Sequence, residues 1–408
     1  MTEHWLVVNR HPLKLRHYAD WLVDRAKVTL LCPKKVVDEA GLDELVKYHN
    51  VVVIPDFDNN ARVISECLRL GRVTRFDRVV GIAEYDLLRT AHVREVLGVE
   101  GQSVNSANAY RDKVLMKTLL RDAGVPVADY TAVSSVVDLL RFYENAGPAV
   151  VLKPRSGGGS AGVEIIGSHE ELVAVASRTS ELSSDDPGWM IAERFIEHEL
   201  FHIDGLVVDG EARVIWPSVH VGDGCLSHLA GEPLVSAMLD REDHDWEPVV
   251  SLVRRSLKAL PSPDVHMFHA EVFKYEGGYL LNEVGSRLGG AQVGPTLTAA
   301  YPLDLVEMYI RALAGEQLTF PAAPSQLGGW TTVPPAKGTV VTVPTDPSPT
   351  RSIVSCDVHV SVDDVIAAAG TSVEAVASFV VLGDNRAEVT ARLDECLSWF
   401  AQGYQVVG

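Results

Sequence analysis

Two glutamates and an arginine, Glu271, Glu283 and Arg287, have the types and the spacing to hold a charged phosphate chain. They lie in residues 269–290, HAEVFKYEGGYLLNEVGSRLGG. HAEVFKY alternates, Glu276-Gly277-Gly278 supplies a turn and YLLNEV returns, which predicts a β-hairpin. A three-residue loop pairs Tyr275 with Tyr279. The same register sets Glu271 opposite Glu283, on one face, because side chains alternate with period two. Opposed Cβ atoms sit roughly 4.5–5.5 Å apart, where like charges repel. Two acids so placed either share a proton or hold a divalent cation. Mg²⁺ keeps several waters and takes one or two carboxylates, and Arg287, just past the strand, offers a guanidinium to a phosphate. Gly289 and Gly290 let backbone approach a ligand, and His269 shares the face of Glu271, which opens a substrate role. The competing reading is a solvated hairpin face followed by a turn arginine.

The second stretch that could do chemistry is 149–167, AVVLKPRSGGGSAGVEIIG. Gly157, Gly159 and Gly162 satisfy G-x-G-x-x-G, but a dinucleotide fold requires a helix straight after the glycines. Here the strand-like Val163-Glu164-Ile165-Ile166 follows, and the next helix starts at Ser168 with a Ser168/Glu171 capping box. The segment therefore reads as strand, glycine loop, strand, a hairpin whose backbone N–H groups can fold over phosphates. Lys153, at the end of the first strand, can reach those phosphates. A protein-kinase flap is similar, yet the chain has no HRD, DFG or APE. Lys113 and Lys117 lie four apart on a helix predicted over 106–124, and spacing alone makes them a solvated face.

These segments need a scaffold. Short apolar runs at 5–8, 27–31, 51–54 and 78–82 alternate with helical patterns such as 63–70 and 85–97, which predicts an open parallel sheet of βα units. Ligands bind at the carboxyl ends of such strands, so Asp56, Asp58 and Glu84 are candidate contacts, although turn and cap roles are commoner. A polar loop at 183–188 and strands at 189–195, 199–208 and 214–220 precede a helix at 247–259 and the hairpin; a helix at 303–314 follows. From 321 the chain turns proline- and threonine-rich. Helices expected over 363–370 and 386–400 flank a strand at 378–383, a smaller α+β module. His202, His220, His228, His266 and His269 gather in the middle third without zinc-ligand spacing.

The formal net charge of −19 over 408 residues argues against a nucleic-acid partner, since phosphate backbones require a basic face. Five scattered cysteines without a CxxC pair fit reduced thiols in a cytoplasmic protein. No basic leader precedes an apolar run and no apolar run approaches ~18 residues, so no membrane partner is expected.

Five pieces, in order across about 110–315, resemble the ATP-grasp superfamily and within it the L-amino-acid ligases. They are RDKVLMKTLLRDAGVPVADY, VLKPRSGGGSAGV, AERFIEHELFHIDG, HAEVF and LNEVGSRLGG. The segment WTTVPPAKGTV…SFVVLGDNRAEVTARLDECL resembles the closing domain of those ligases. The resemblance implies a multi-domain α/β and α+β fold: an N-terminal parallel α/β domain (1–110), a lid with the glycine flap (111–205), a central antiparallel-sheet domain with the metal site (206–320) and a C-terminal α+β module (321–408). It makes Lys113 and Lys153 the ATP phosphate lysines and 156–163 the flap, with Ser156, Gly157, Gly158, Gly159 and Ser160 over the phosphates. Glu193, Arg194, Phe195 and Ile196 would meet the adenine. Glu199 is the nearest acid for the ribose, although Leu200 stands at the commoner place. Glu271 and Glu283 become Mg²⁺ ligands (Mn²⁺ being an alternative ion) and Arg287 the catalytic residue facing the transferred phosphoryl group. Glu84, His269, Gly289 and Gly290 are substrate candidates. Many relatives carry Asn-Pro before the arginine; here Gly285-Ser286 stand there, so an Asn that often completes the metal site is missing.

The implied activity is ATP-dependent amide formation between amino acids or small peptides through an acylphosphate, in a protein whose family habit includes homodimers. Carboxylase or phosphotransferase chemistry on another small carboxylate, or nucleotide binding without turnover, are the alternatives.

Overall fold

The computed structural model describes residues 2–179, 190–222, 224–345 and 352–408; the expected loop at 183–188 and Trp189 lie outside them. Strands β1 (Glu3–Val8), β2 (Ala26–Cys32), β3 (Asn50–Val53) and β4 (Arg78–Gly81) form a parallel sheet in the order β3-β2-β1-β4. Trp5 and Val7 enter one hydrophobic core and Leu6 and Val8 another. An unbroken apolar run is what a strand covered on both faces requires. The turn after β4 carries Glu84 at the carboxyl edge of this sheet.

A second sheet is antiparallel: β5 (Tyr130–Val133), β6 (Val150–Pro154), β7 (Glu164–Ile166) and β8 (Met190–Arg194), in the order β5-β8-β6-β7. Helices Val136–Ala146 and His169–Arg178 give it a core of its own, with Leu139, Val150, Leu152, Ile166 and Leu172 inside. Ser168 caps the second helix by accepting the Glu171 N–H, and Glu171 reaches back to the Gly167 N–H at 2.7 Å, which fixes where the flap's second strand ends.

The helix expected over 106–124 is two helices, Val104–Ala109 and Lys113–Asp122. Asp112 accepts from the N–H groups of Val114 and Leu115, and an N-cap of that kind starts a helix rather than continuing one. The expected solvated face is also wrong: Lys113 and Lys117 are both buried.

The third sheet holds eight strands. They are β9 (Glu199–Val208), β10 (Glu211–Val221), β11 (Leu234–Met238), β12 (His266–Tyr275), β13 (Gly278–Gly285) and β14 (Leu327–Val333), joined beyond β15 (Gly338–Thr342) by β16 (Ile353–Val358) and, beyond β17 (Val365–Ile366), by β18 (Ala377–Gly383). Their order is β13-β12-β9-β10-β11-β14-β18-β16, antiparallel throughout. The sheet thus runs unbroken from the hairpin into the proline-rich segment, and helix Arg386–Gly403 packs on β14 and β18. β15, β17 and β19 (Gln405–Val407) make a small separate sheet. No helix forms over 363–370. Asp363 is left-handed (φ 75°) and Asp364 accepts the Ser361 N–H at 2.7 Å, which makes a turn where a helix would have to begin. Among the described residues no helix is long and apolar enough to cross a membrane.

The hairpin forms with a different turn from the expected one. Only Glu276 and Gly277 connect the strands, so Tyr275 pairs with Gly278 and Lys274 with Tyr279. That register would set Glu271 against Asn282. A β-bulge absorbs Asn282 between the Val272–Leu281 and Glu271–Glu283 pairs and restores the opposition of the two acids.

Candidate functional site

The cavity between the β5–β8 sheet and the hairpin is walled by Lys113, Lys153, residues 157–161 of the flap, Glu193, Arg194, Phe195, Ile196, His198, Leu200, Glu271, Phe273, Asn282 and Glu283. Most residues singled out from the sequence therefore meet in one place. Glu199 does not: its side chain is 61% exposed, 3.5 Å from the Lys274 ammonium, while Leu200 and His198 stand in the wall. His198 stacks on Phe273 with ring centroids 3.6 Å apart and bonds the Ile196 carbonyl through Nδ1 at 2.6 Å.

The lysines and acids are interleaved. Lys113 Nζ lies 3.0 Å from Glu283 Oε2 and donates to the Gly157 carbonyl at 2.9 Å. Lys153 Nζ is 3.1 Å from Glu193, whose other oxygen is 3.4 Å from Lys117. Lys117 also donates to the Asn282 carbonyl at 2.8 Å, so the bulge's main-chain oxygen is satisfied by a buried cation. Glu193 thus sits in the cavity wall between two lysines. Burial opposes its ionisation, yet Lys117 and then Lys153 hold it below the usual carboxylate range.

The two opposed acids are both ionised by their surroundings. Burial raises the Glu283 carboxyl, but Lys113 and then Lys153 outweigh it and bring it to about 2. Burial and then Glu283 push Glu271 up; His269, whose Nε2 lies 3.7 Å away, followed by the bond from Asn282 Nδ2 at 2.8 Å, carries it below its ordinary value. An anionic pair with two hard oxygen donors facing one cavity suits a divalent cation such as Mg²⁺. Asn282, swung to the same side by the bulge, adds an amide next to Glu271.

Behind Glu271 lies a cluster the sequence reading missed. Asp204 Oδ1 accepts from His269 Nδ1 at 3.0 Å and the Gly289 N–H at 2.8 Å, and Oδ2 accepts from His202 Nδ1 at 2.7 Å. His202 Nε2 continues to Ser236 Oγ at 2.7 Å. Gly289 is required here: a Cβ on it would sit 2.8 Å from His269 Nδ1. Burial alone would lower His269, but Asp204 raises it to about 9. The alternation His202-x-Asp204 on a strand was the available signal, since both side chains must share a face. Gly290 lies beside Val373.

Arg287 and Arg111 together grip Glu84, Arg287 through Nε to Oε2 and Arg111 through Nη1 to Oε1. Arg111 also donates to the Ser156 carbonyl, at the base of the flap. At the flap's tip Gly159 and Ser160 are both left-handed (φ 63° and 58°), and the Gly159 carbonyl accepts the Ser372 N–H at 3.0 Å. Ser372 itself lines the cavity.

Residues 112–216 match the family described as the ATP-binding domain of the carbamoyl-phosphate synthase L chain. Over its whole length the chain superposes on an L-amino acid ligase from Bacillus licheniformis, with a TM-score of 0.77, 18% identity and 98% of that chain covered. The fold is ATP-grasp. A second likeness in fold is to phosphoribosylglycinamide synthetase from Anaerococcus prevotii (TM-score 0.68, 14% identity, both chains covered entirely). In sequence, an L-arginine-specific L-amino acid ligase from Bacillus subtilis is 28% identical over 264 residues, 63% of this chain and 62% of that protein. The chain spans about three fifths of the length of the first curated relatives it matches.

Proposed function

We propose that this ATP-grasp chain is an ATP-dependent carboxylate–amine ligase that joins amino acids or small peptides, releasing ADP and phosphate. The observation that carries the reading is the meeting, in one cavity under one glycine flap, of two opposed ionised acids and two lysines, with Arg287 in the small cavity that shares Lys113, Gly157 and Glu283 with it. Likeness to two L-amino acid ligases supports it over carboxylase or phosphotransferase chemistry.

Lys113 and Lys153 would hold the nucleotide's phosphate oxygens, exchanging their present carboxylate partners for phosphate. Glu271 and Glu283 would hold Mg²⁺, with Asn282 close by in place of the absent asparagine at 285. The ion supplies charge neutralisation on the terminal phosphate oxygens. Lysine and arginine charge lets an anionic carboxylate oxygen approach the terminal phosphorus, with ADP leaving. Arg287 then stabilises the oxyanion that forms when the amine adds to the acyl carbon, after which phosphate leaves and the nitrogen gives up a proton. Residues 156–163 exclude water, which would otherwise hydrolyse the acylphosphate.

ADP release that requires both an amino acid and an added amine, with an amide product seen by mass spectrometry, is the expected result. ADP release driven by bicarbonate alone would replace the reading. Glu271→Ala and Glu283→Ala should each lower turnover at least a hundredfold while the fold, followed by circular dichroism, stays intact; turnover within twofold of wild type in either removes that acid from the mechanism.

A further inference from the structure

Deepening the ligase reading, on which it rests, we propose that Arg111 and Arg287 form a two-guanidinium fork for the carboxylate of an α-amino acid, with Glu84 as the counter-ion of its ammonium group. Glu84 joins the two guanidiniums from the turn after β4, one arginine on each oxygen. Each arginine has a further anchor: Arg111 on the Ser156 carbonyl and Arg287 on that of Leu288. Both are largely enclosed, with side chains 9% and 19% exposed, and Glu84 is 17% exposed.

Two guanidiniums share the one Glu84 carboxylate, and the further anions that act on them are Glu283 and, for Arg287, also Asp204 and Glu271. Bringing two guanidiniums together there is unfavourable: burial and then Arg287 lower Arg111 to about 10. The two arginines come from different parts of the chain and converge on opposite oxygens of one carboxylate. The small cavity beside them shares Lys113, Gly157 and Glu283 with the nucleotide cavity, so an anion on the fork lies next to the place where phosphoryl transfer would occur. A carboxylate arriving there takes the guanidinium bonds that Glu84 now holds. Glu84, displaced by a short movement, is left as an unpaired anion facing whatever the carboxylate brought with it. The ligand that satisfies both charges is a zwitterion with its ammonium one carbon from its carboxylate. Arg111 adds a link to the flap, because the same guanidinium holds both the fork and the Ser156 carbonyl.

The test titrates the full chain, with ADP and Mg²⁺ present, by thermal shift and calorimetry. The probes are the twenty common L-amino acids and the des-amino acid matching the best binder. Arg111→Gln should weaken the amino acid and its des-amino counterpart alike by about tenfold or more, the size of one charge-assisted bond lost, with ADP affinity falling by less. Glu84→Gln, nearly isosteric, should weaken only the amino acid, so the preference over the des-amino acid collapses. Arg111→Lys, which keeps the charge and loses the fork, should lie between if the glutamine variant fails to fold. The fork is refuted if wild type binds none of the amino acids, if Arg111→Gln loses ADP instead, or if Glu84→Gln keeps the preference. Binding without amine-dependent turnover in wild type would overturn the ligase reading and leave the fork standing.

Discussion

Asp204 shows what one buried carboxylate can organise: it sets the ring of His269, ties down Gly289 and braces His202. Its partnership with His269 has a pH signature. The imidazole holds its proton up to about 9 in the folded chain, against 6.5 without partners. Stabilisation from this pair is therefore complete below pH 6.5 and fades as pH rises to 9. Urea denaturation of the EDTA-treated protein should show wild type losing its advantage over Asp204→Asn between pH 6 and pH 9. A constant difference across that range excludes the pair as its source. Gly289→Ala should act on the same contact by steric intrusion, lowering turnover with little loss of ADP binding. At this scale much of the site was legible in the residue types. Glu271, Glu283, Arg287, Lys153 and the flap glycines all border the cavity or the fork beside it. Arg111, Lys117 and Asp204 were not legible, because what makes them site residues is burial against partners 27 and 45 positions away for Arg111, 165 for Lys117 and 65 for Asp204.

The hairpin carries the lesson at the scale of elements. Alternation gave two strands, but the turn length was misjudged by one residue, and an unbroken ladder would then have parted the two acids. The bulge at Asn282 cancels that slip. Its sequence trace is a polar Asn placed directly before Glu283, where strict alternation calls for an inward apolar residue. Asn282→Ala should keep the strand yet deprive Glu271 of a donor, reducing turnover about tenfold or more, with an unaltered circular dichroism spectrum. Equal turnover would make the amide a bystander. The broken helix at 110–112 has a comparable origin: apolar periodicity ran through the break, and only the cap marks it. Asp112 is also bonded by Arg155, Nε to Oδ1 at 2.9 Å, so the cap anchors the flap's base. Asp112→Ala should cost about 1 kcal/mol of helix capping and speed tryptic cleavage after Arg155; unchanged cleavage would separate cap from flap.

For the whole molecule, the parallel N-terminal sheet was readable because buried strands are written as continuous apolar runs. The eight-stranded sheet was less so, since β14, β16 and β18 join it from a segment whose prolines suggested a module apart. Truncation after Phe320 should leave β11 as a bare edge and yield aggregated protein, checked by size-exclusion chromatography; a monodisperse product would show that the sheet closes without its last strands.

The bond from Ser372 to Gly159 has a bearing on biosynthesis. A ribosome delivers the glycine turn long before the residue that fastens it. Until residue 372 has emerged, a nascent chain holds its loop unfastened and offers the nucleotide an unfinished wall, so affinity for ATP should arrive only once that residue has been made.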